Sequence, residues 1–388
     1  MSSKNLNRIG FISSNSVRQL LNSVFAMAIP FMAIHFSTKE IWGEFVSILL
    51  FSLIAIQFFN WGNKEYLLRA FSKMPNEIST TFTTLLFTRL PLVVLFSIIG
   101  IWNFKTEFGI YIFLWFLGRY LIHSFEVLII YEKKFISSVV IETLCFLVFF
   151  LSFYCFRLNF DVEILLILYS LYQLLKGSLY LILFKGFLNF KNIHFDFNYY
   201  KISIWFFLLS FIGFLASKID VYIIESFGNK LITSDYQIIN SLLVFTMSIA
   251  AFIYTPFIKN IYRNSEEMII KANLFISLTG LIIIPMALFI ISMILYFFLK
   301  LELDFWFFII AFFYVYPSYI YGIEIVSLFK QHREKKVFFI LFIGAIANFI
   351  LSYVFLYLNF GISGALLGSA LSQTIVLFLF KFKNNVKQ

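Results

Sequence analysis

Charge, cysteine, histidine and proline are all scarce in this chain. Only 13% of its 388 residues are charged and 61% are hydrophobic, whereas a soluble domain is nearer 25% and 45–50%. At a mean hydropathy of +0.91 no soluble fold hides so much apolar surface. The two cysteines, Cys145 and Cys155, fall in one predicted helix. Ten helical residues separate them by about 15 Å, and a disulfide needs Cα atoms within about 7 Å, so they do not bridge each other. Four His and two Cys show no metal-ligand spacing, so no metal site and no cofactor is expected. GxxxxGK[ST] and GxGxxG are both absent. No catalytic residue is assigned, and any energy input is expected from an ion gradient, the membrane potential or the substrate gradient. The N-terminal MSSKNLNRIGFISS lacks the apolar core and small-residue cleavage site of a signal peptide, so the first apolar run is expected to be retained. A net charge of +10 would suit nucleic acid. The cations are spread over many short loops without a stripe or a DNA-binding motif, so no nucleic-acid partner is expected.

What is abundant is long apolar sequence, including 56 Phe. A bilayer core of about 30 Å needs about 20 helical residues. Twelve segments qualify: 15–36, 42–60, 80–103, 108–130, 137–156, 163–184, 202–224, 235–257, 269–298, 305–328, 337–358 and 363–380. The breaks between them alternate between rich and poor in Lys and Arg. With a cytoplasmic N-terminus, 21 of the 30 cations fall on the inner side, 5 on the outer side and 4 inside spans. Cytoplasmic loops keep Lys and Arg, so this bias predicts a multi-pass protein of the cytoplasmic membrane with both termini inside. The predicted class is all-α, in two six-helix lobes, 1–190 and 191–388. No predicted outer loop has room for a catalytic domain, which places function between helices.

The four intramembrane cations are Arg89, Arg119, Lys176 and Lys218. Each costs about 2.5–3.5 kcal/mol at mid-bilayer on insertion scales, and an anionic substrate is the expected reason for them. Arg119, His123 and Glu126 share one face of the fourth span, with Trp115 one turn further along. That face is either a cavity lining or one side of an internal Arg–Glu bridge. The sixth span places Tyr169, Tyr172, Gln173, Lys176 and Tyr180 together. Tyr and Gln beside a cation suit sugar hydroxyls and phosphate, or equally helix–helix hydrogen bonds. Thr81, Thr84 and Thr88 share a face of the third span beside Arg89 and Pro91. Lys218 and Asp220 are about 200° apart around the seventh span and form no same-face pair. Asp220 and Glu126 are expected to act in ion pairs or in coupling, and Glu142 is expected at the cytoplasmic edge. Five prolines, Pro30, Pro91, Pro256, Pro285 and Pro317, lie within spans and permit bending.

Four stretches resemble one known family. They are NSVRQLLNS in the first span, WGNKEYLLRAFSK after the second, SKIDVYIIESFGN running toward SDYQIINSLL, and NFGISGALLGSALSQ between the last two spans. Across nearly its whole length the chain resembles the Wzx-type oligosaccharide flippases, the polysaccharide-export branch of the MATE-like (MOP) superfamily. The resemblance implies two six-helix lobes around a central cavity. It also implies a substrate such as an O-antigen unit carried on polyprenyl pyrophosphate and moved from the inner to the outer leaflet. The expected partners are that lipid-linked oligosaccharide, membrane lipids and the polysaccharide polymerase machinery. A pyrophosphate is a ligand that Arg binds in bidentate fashion. The cavity residues expected on this reading are Arg89, Arg119, His123, Tyr172, Gln173, Lys176 and Lys218. The alternatives are a membrane-embedded polysaccharide polymerase or acyltransferase, and an ion-coupled exporter of small organic anions.

Overall fold

Helices account for almost all of the described residues, because in lipid a backbone must satisfy its own hydrogen bonds. The computed structural model describes residues 3–156, 160–190, 194–254, 266–331 and 333–382. Among these residues twelve helical segments are long and apolar enough to cross a membrane, and there are no strands. They fall where the apolar runs predict them. The chain clusters into two compact units, Met1–Ser210 and Phe211–Gln388.

The first unit contains α1 (Ser3–Phe36), α2 (Lys39–Asn60), α3 (Asn63–Lys73), α4 (Ile78–Asn103), α5 (Gly109–Tyr131), α6 (Phe135–Phe156) and α7 (Val162–Leu183), then the short α8 (Asn198–Ile202). Two helix starts are capped as their sequences suggest. The Thr38 hydroxyl accepts from the Ile41 N–H at 3.3 Å, and Asp161 accepts from the Ile164 N–H at 2.8 Å. The helix α3 departs from expectation, because residues 61–79 read as a cytoplasmic loop. The chain turns through Trp61 and Gly62, both at positive φ. A Cβ at Gly62 would lie 2.6 Å from the Phe206 Cβ. The following NKEYLLRAFSK buries Leu67 and Phe71, one turn apart, and so forms a short amphipathic helix.

Residues 185–201 also read as a loop, but those described, 185–190 and 194–201, are tied to α4. The Ser79 hydroxyl donates to the Phe187 carbonyl, and the backbone N–H groups of Asn189 and Asp196 donate to the hydroxyls of Thr83 and Thr88 at 2.9 and 3.0 Å. The Tyr200 hydroxyl donates to the Thr88 carbonyl at 2.8 Å. The Tyr199 hydroxyl reaches the Trp61 carbonyl at 2.8 Å, and burial pushes its pKa up, keeping it a neutral donor. These bonds hold the strap to the first unit, which is why that unit runs to Ser210 and not to residue 190.

The second unit begins within α9 (Ile204–Ser226) and continues through α10 (Lys230–Tyr254), α11 (Glu266–Ile294), α12 (Phe305–Lys330), α13 (Glu334–Tyr357) and α14 (Gly361–Phe382). A π-helical turn, Leu295–Leu299, ends α11. The small-residue run in α14 does what its composition suggests. A Cβ at Gly368 would meet the Ser352 backbone N–H at 2.5 Å, so α13 and α14 pack backbone to backbone. Helices α1, α4, α11 and α12 run through Pro30, Pro91, Pro285 and Pro317, while Pro256 lies outside the described residues. The faces of α6 and α11 carry exposed Leu, Ile and Phe, as lipid-facing surfaces do. Cys145 is buried, Cys155 is exposed, and both are free.

Candidate functional site

Two glycines build the site in the first unit. A Cβ at Gly118 of α5 would strike the backbone of Gln173 and Leu174. A Cβ at Gly177 of α7 would lie 2.7 Å from the Gly118 carbonyl oxygen and 3.0 Å from the Leu121 Cβ. The two helices therefore touch at their backbones. Arg119 and Lys176, each adjacent to one of these glycines, are brought into one region. Arg119 acts electrostatically on Lys176, His123 and Tyr172.

Arg119 sits near the middle of α5 and is half-buried. Its Nε is buried without a hydrogen-bond partner, and among the described residues it forms no ion pair. Two further polar atoms nearby are also unpaired: the Trp115 Nε1, one turn away on α5, and the Gln173 Oε1, on the α7 segment against Gly118. Buried polar groups in native proteins are nearly always paired, so three orphans on one seam mark a place where a ligand or solvent belongs.

Next to this seam, Glu126 is the hub of a charged cluster. The Lys64 Nζ donates to its Oε1 at 3.0 Å, the Arg18 Nη2 lies 3.9 Å from the same oxygen, and the His123 Nδ1 lies 4.0 Å from Oε2. The inter-helix Arg–Glu bridge that was the alternative reading of this face is made by Arg18 of α1, and not by Arg119. Lys64 and Arg18, assigned from sequence to the cytoplasmic side, take the carboxylate and leave Arg119 unmatched.

Three expectations are corrected here. Lys176 is not a free cavity cation, because it is ion-paired with Glu142 of α6. Glu142 is not interfacial. It is buried, and it also accepts from the Tyr180 hydroxyl at 2.8 Å. Ionised groups removed from water need such partners. Arg89 is 1% exposed and enclosed. Its Nη1 donates to the Phe59 carbonyl at 2.8 Å, its Nη2 to the Ser124 hydroxyl at 3.1 Å and its Nε to the Leu85 carbonyl at 3.2 Å, and the guanidinium stacks over Tyr120. Phe59 lies in the last turn of α2, where carbonyls lack helical partners and the helix dipole favours a cation. Arg89 thus joins α2, α4 and α5. Tyr172 is buried, stacked on Phe149 at 4.8 Å, with the Lys176 ammonium over its ring.

The second unit holds a polar cluster around a single carboxylate. Asp220 is fully buried and accepts from the Tyr236 hydroxyl at 2.5 Å, the Ser369 hydroxyl at 2.8 Å, the Val221 N–H at 2.9 Å and the Asn240 amide at 3.4 Å. Lys218 does not touch it directly, in keeping with their angular separation, and donates to the Asn240 Oδ1 at 2.6 Å. Asn240 bridges the two charges. Ser369 also reaches the Asn348 Oδ1 at 3.1 Å, and Ser352 the same atom at 2.8 Å, linking α9, α10, α13 and α14. None of Tyr236, Ser369 and Asn348 was singled out from sequence. Tyr236 and Ser369 carried a signal, the first within SDYQIINSLL and the second within the small-residue run, while Asn348 carried none.

Solved structures share this architecture. An inward-facing multidrug resistance MATE family transporter of the MOP superfamily superposes with a TM-score of 0.72, covering 94% of this chain and 94% of that one at 9% identity. The chain has the MATE fold. MATE in complex with MaL6 gives 0.67 over 98% of this chain and 95% of that chain, at 11% identity. The lipid II flippase MurJ, inward closed, gives 0.54 over 98% and 87%, at 15% identity. No protein-family model matches the sequence, and no curated protein matches it. At these identities the likeness establishes the fold, an all-α multi-pass membrane architecture of the MATE type.

Proposed function

We propose that this MATE-fold protein is a transporter, and that it moves a lipid-linked oligosaccharide on polyprenyl pyrophosphate from the inner to the outer leaflet of the cytoplasmic membrane for surface polysaccharide synthesis. The observation that carries this is Arg119, an unmatched guanidinium in a span, on a seam with two other orphaned polar atoms. An Arg in a span is costly unless something satisfies it, and a pyrophosphate does so with two parallel charge-assisted hydrogen bonds. The surrounding cluster supports the reading. Four cations, Arg18, Lys64, Arg119 and Lys176, gather around three carboxylates, Glu65, Glu126 and Glu142, which leaves positive charge in excess. A cationic cargo would be repelled there. A neighbour of the same fold named as a lipid II flippase supports the reading. Both termini are proposed to be cytoplasmic from the bias of 21 to 5. Asp220 is proposed as the coupling residue, since hydroxyl and amide partners, and no cation in direct contact, let it exchange charge states.

The test is a leaflet-specific assay of a lipid-linked glycan in vesicles. Arg119→Ala is expected to insert normally and to slow flipping by roughly 10–100-fold, the loss of a charged hydrogen bond worth about 1.5–3 kcal/mol. Normal flipping by Arg119→Ala would refute the assignment.

A further inference from the structure

The second unit contains a cavity of about 250 Å³ among α9, α10, α12, α13 and α14. Its polar lining is Ser217, Ser248, Ser318, Tyr321, Ser372 and Gln373, and no charged side chain lines it. Six hydroxyl or amide groups surround one space inside membrane-spanning helices, where uncharged polar groups need partners. The hydroxyl protons are already used. Ser217 donates to the Phe214 carbonyl at 2.8 Å, Ser248 to Val244 at 2.9 Å, Ser318 to Val315 at 2.7 Å and Ser372 to Gly344 at 2.7 Å. The Tyr321 hydroxyl donates to the Gln373 Oε1 at 2.7 Å. Each hydroxyl keeps lone pairs to accept with. The Gln373 side chain is 7% exposed, and its amide N–H groups make no hydrogen bond among the described residues. The cavity therefore offers a ring of acceptors and one pair of donors, without charge.

We propose that this cavity binds an uncharged saccharide unit of the cargo, an inference that rests on the function proposed above. A sugar hydroxyl donates and accepts at once, matching both halves of the lining. An acyl or isoprenoid chain would leave the buried Gln373 amide N–H groups unpaired. An anion finds no cation there, and a cation finds no carboxylate. The volume suits one pyranose ring, being the space of roughly eight waters. Charge recognition by Arg119 and neutral recognition by Gln373 are thereby assigned to different units of the chain.

The experiment compares two probes on the full-length protein in nanodiscs: bare undecaprenyl pyrophosphate, and the same lipid carrying one N-acetylglucosamine. The wild type is expected to bind the glycosylated lipid about tenfold more tightly. Gln373→Leu is expected to abolish that difference, leaving the affinity for the bare lipid unchanged. Ala216→Leu, which fills the cavity from α9 without removing a polar group, is expected to do the same and covers the case in which Gln373→Leu does not fold. Equal wild-type affinities for the two lipids, an undiminished preference in both variants, or a parallel loss for both lipids would overturn the proposal. Arg119→Gln separates it from the parent reading. Loss of both lipids in that variant supports Arg119 as the pyrophosphate ligand. Unchanged binding of both refutes that role, while the preference for the sugar stands or falls on Gln373 and Ala216.

Discussion

Lys176 and Glu142 were expected in different roles and are found as one buried pair, and that pair has a measurable signature. Lys176 is 7% exposed and Glu142 3%. Glu142→Gln keeps the Tyr180 hydrogen bond but leaves an ammonium buried beside Arg119, a like charge. Breaking a buried pair from one side costs about 3–5 kcal/mol, most of it the stranded charge. Lys176→Met strands the carboxylate, which retains only the Tyr180 hydroxyl, and falls in the same range or slightly below. The double variant Glu142→Gln/Lys176→Met strands nothing. Replacing both partners of such a pair is often close to neutral, so the double is expected within about 1–2 kcal/mol of wild type. The assay is unfolding free energy of the purified protein by steric trapping, read as a double-mutant cycle. A coupling of several kcal/mol is expected. Additive single effects, with coupling below about 0.5 kcal/mol, would refute the claim that the two charges depend on each other. Flipping by the double variant then reports whether Lys176 touches cargo. A folded double variant that still flips assigns Lys176 to structure alone.

Gly118→Leu is expected to force α5 and α7 apart. Overpacking costs about 1–3 kcal/mol or more at a backbone contact, visible as a lower melting temperature together with slower flipping. Gly186→Ala, at a position with open space around it, should do neither. Asp220→Asn exchanges an acceptor of four hydrogen bonds for a group that must also donate. It is expected to cost about 1–3 kcal/mol and, if Asp220 couples transport, to remove the dependence of flipping on ion gradient, whereas a gradient dependence equal to wild type would remove Asp220 from that role. In a Cys155→Ser background, Lys300→Cys is expected to react with a membrane-impermeant maleimide on intact cells. Lys335→Cys is expected to react only after permeabilisation, and the reverse pattern would invert the proposed topology.

Much of this architecture was readable from composition, because a bilayer forces about 20 apolar residues per crossing and the twelve runs are separated by polar breaks. Close packing of α13 and α14 was foreshadowed by the glycines of the small-residue run, and Gly364 and Gly368 make it while Gly361 has open space around it. The shared face of Arg119, His123 and Glu126 followed from helical spacing alone. What spacing along one helix cannot supply is the partner on another. Glu142 near the end of its run reads as interfacial until α7 places Lys176 against it. Arg89 reads as a cavity cation because no sequence pattern encodes the Phe59 carbonyl at the end of α2. The helix α3 was missed since its apolar face is only Leu67 and Phe71, too short to register as a periodic run, although Gly62 before it and the charges Lys64, Glu65, Arg69 and Lys73 on its other faces were signals. The ring of hydroxyls in the second unit was invisible for a related reason. Its four serines come one per helix from α9, α10, α12 and α14.

The central claim is that Arg119 holds the negative headgroup of the cargo. A cryo-EM structure of the protein with bound undecaprenyl pyrophosphate tests it directly. The account predicts phosphate oxygens within hydrogen-bonding distance of the Arg119 guanidinium, on the seam marked by Gly118 and Gly177. Phosphate density anchored elsewhere, with that guanidinium untouched, would contradict it.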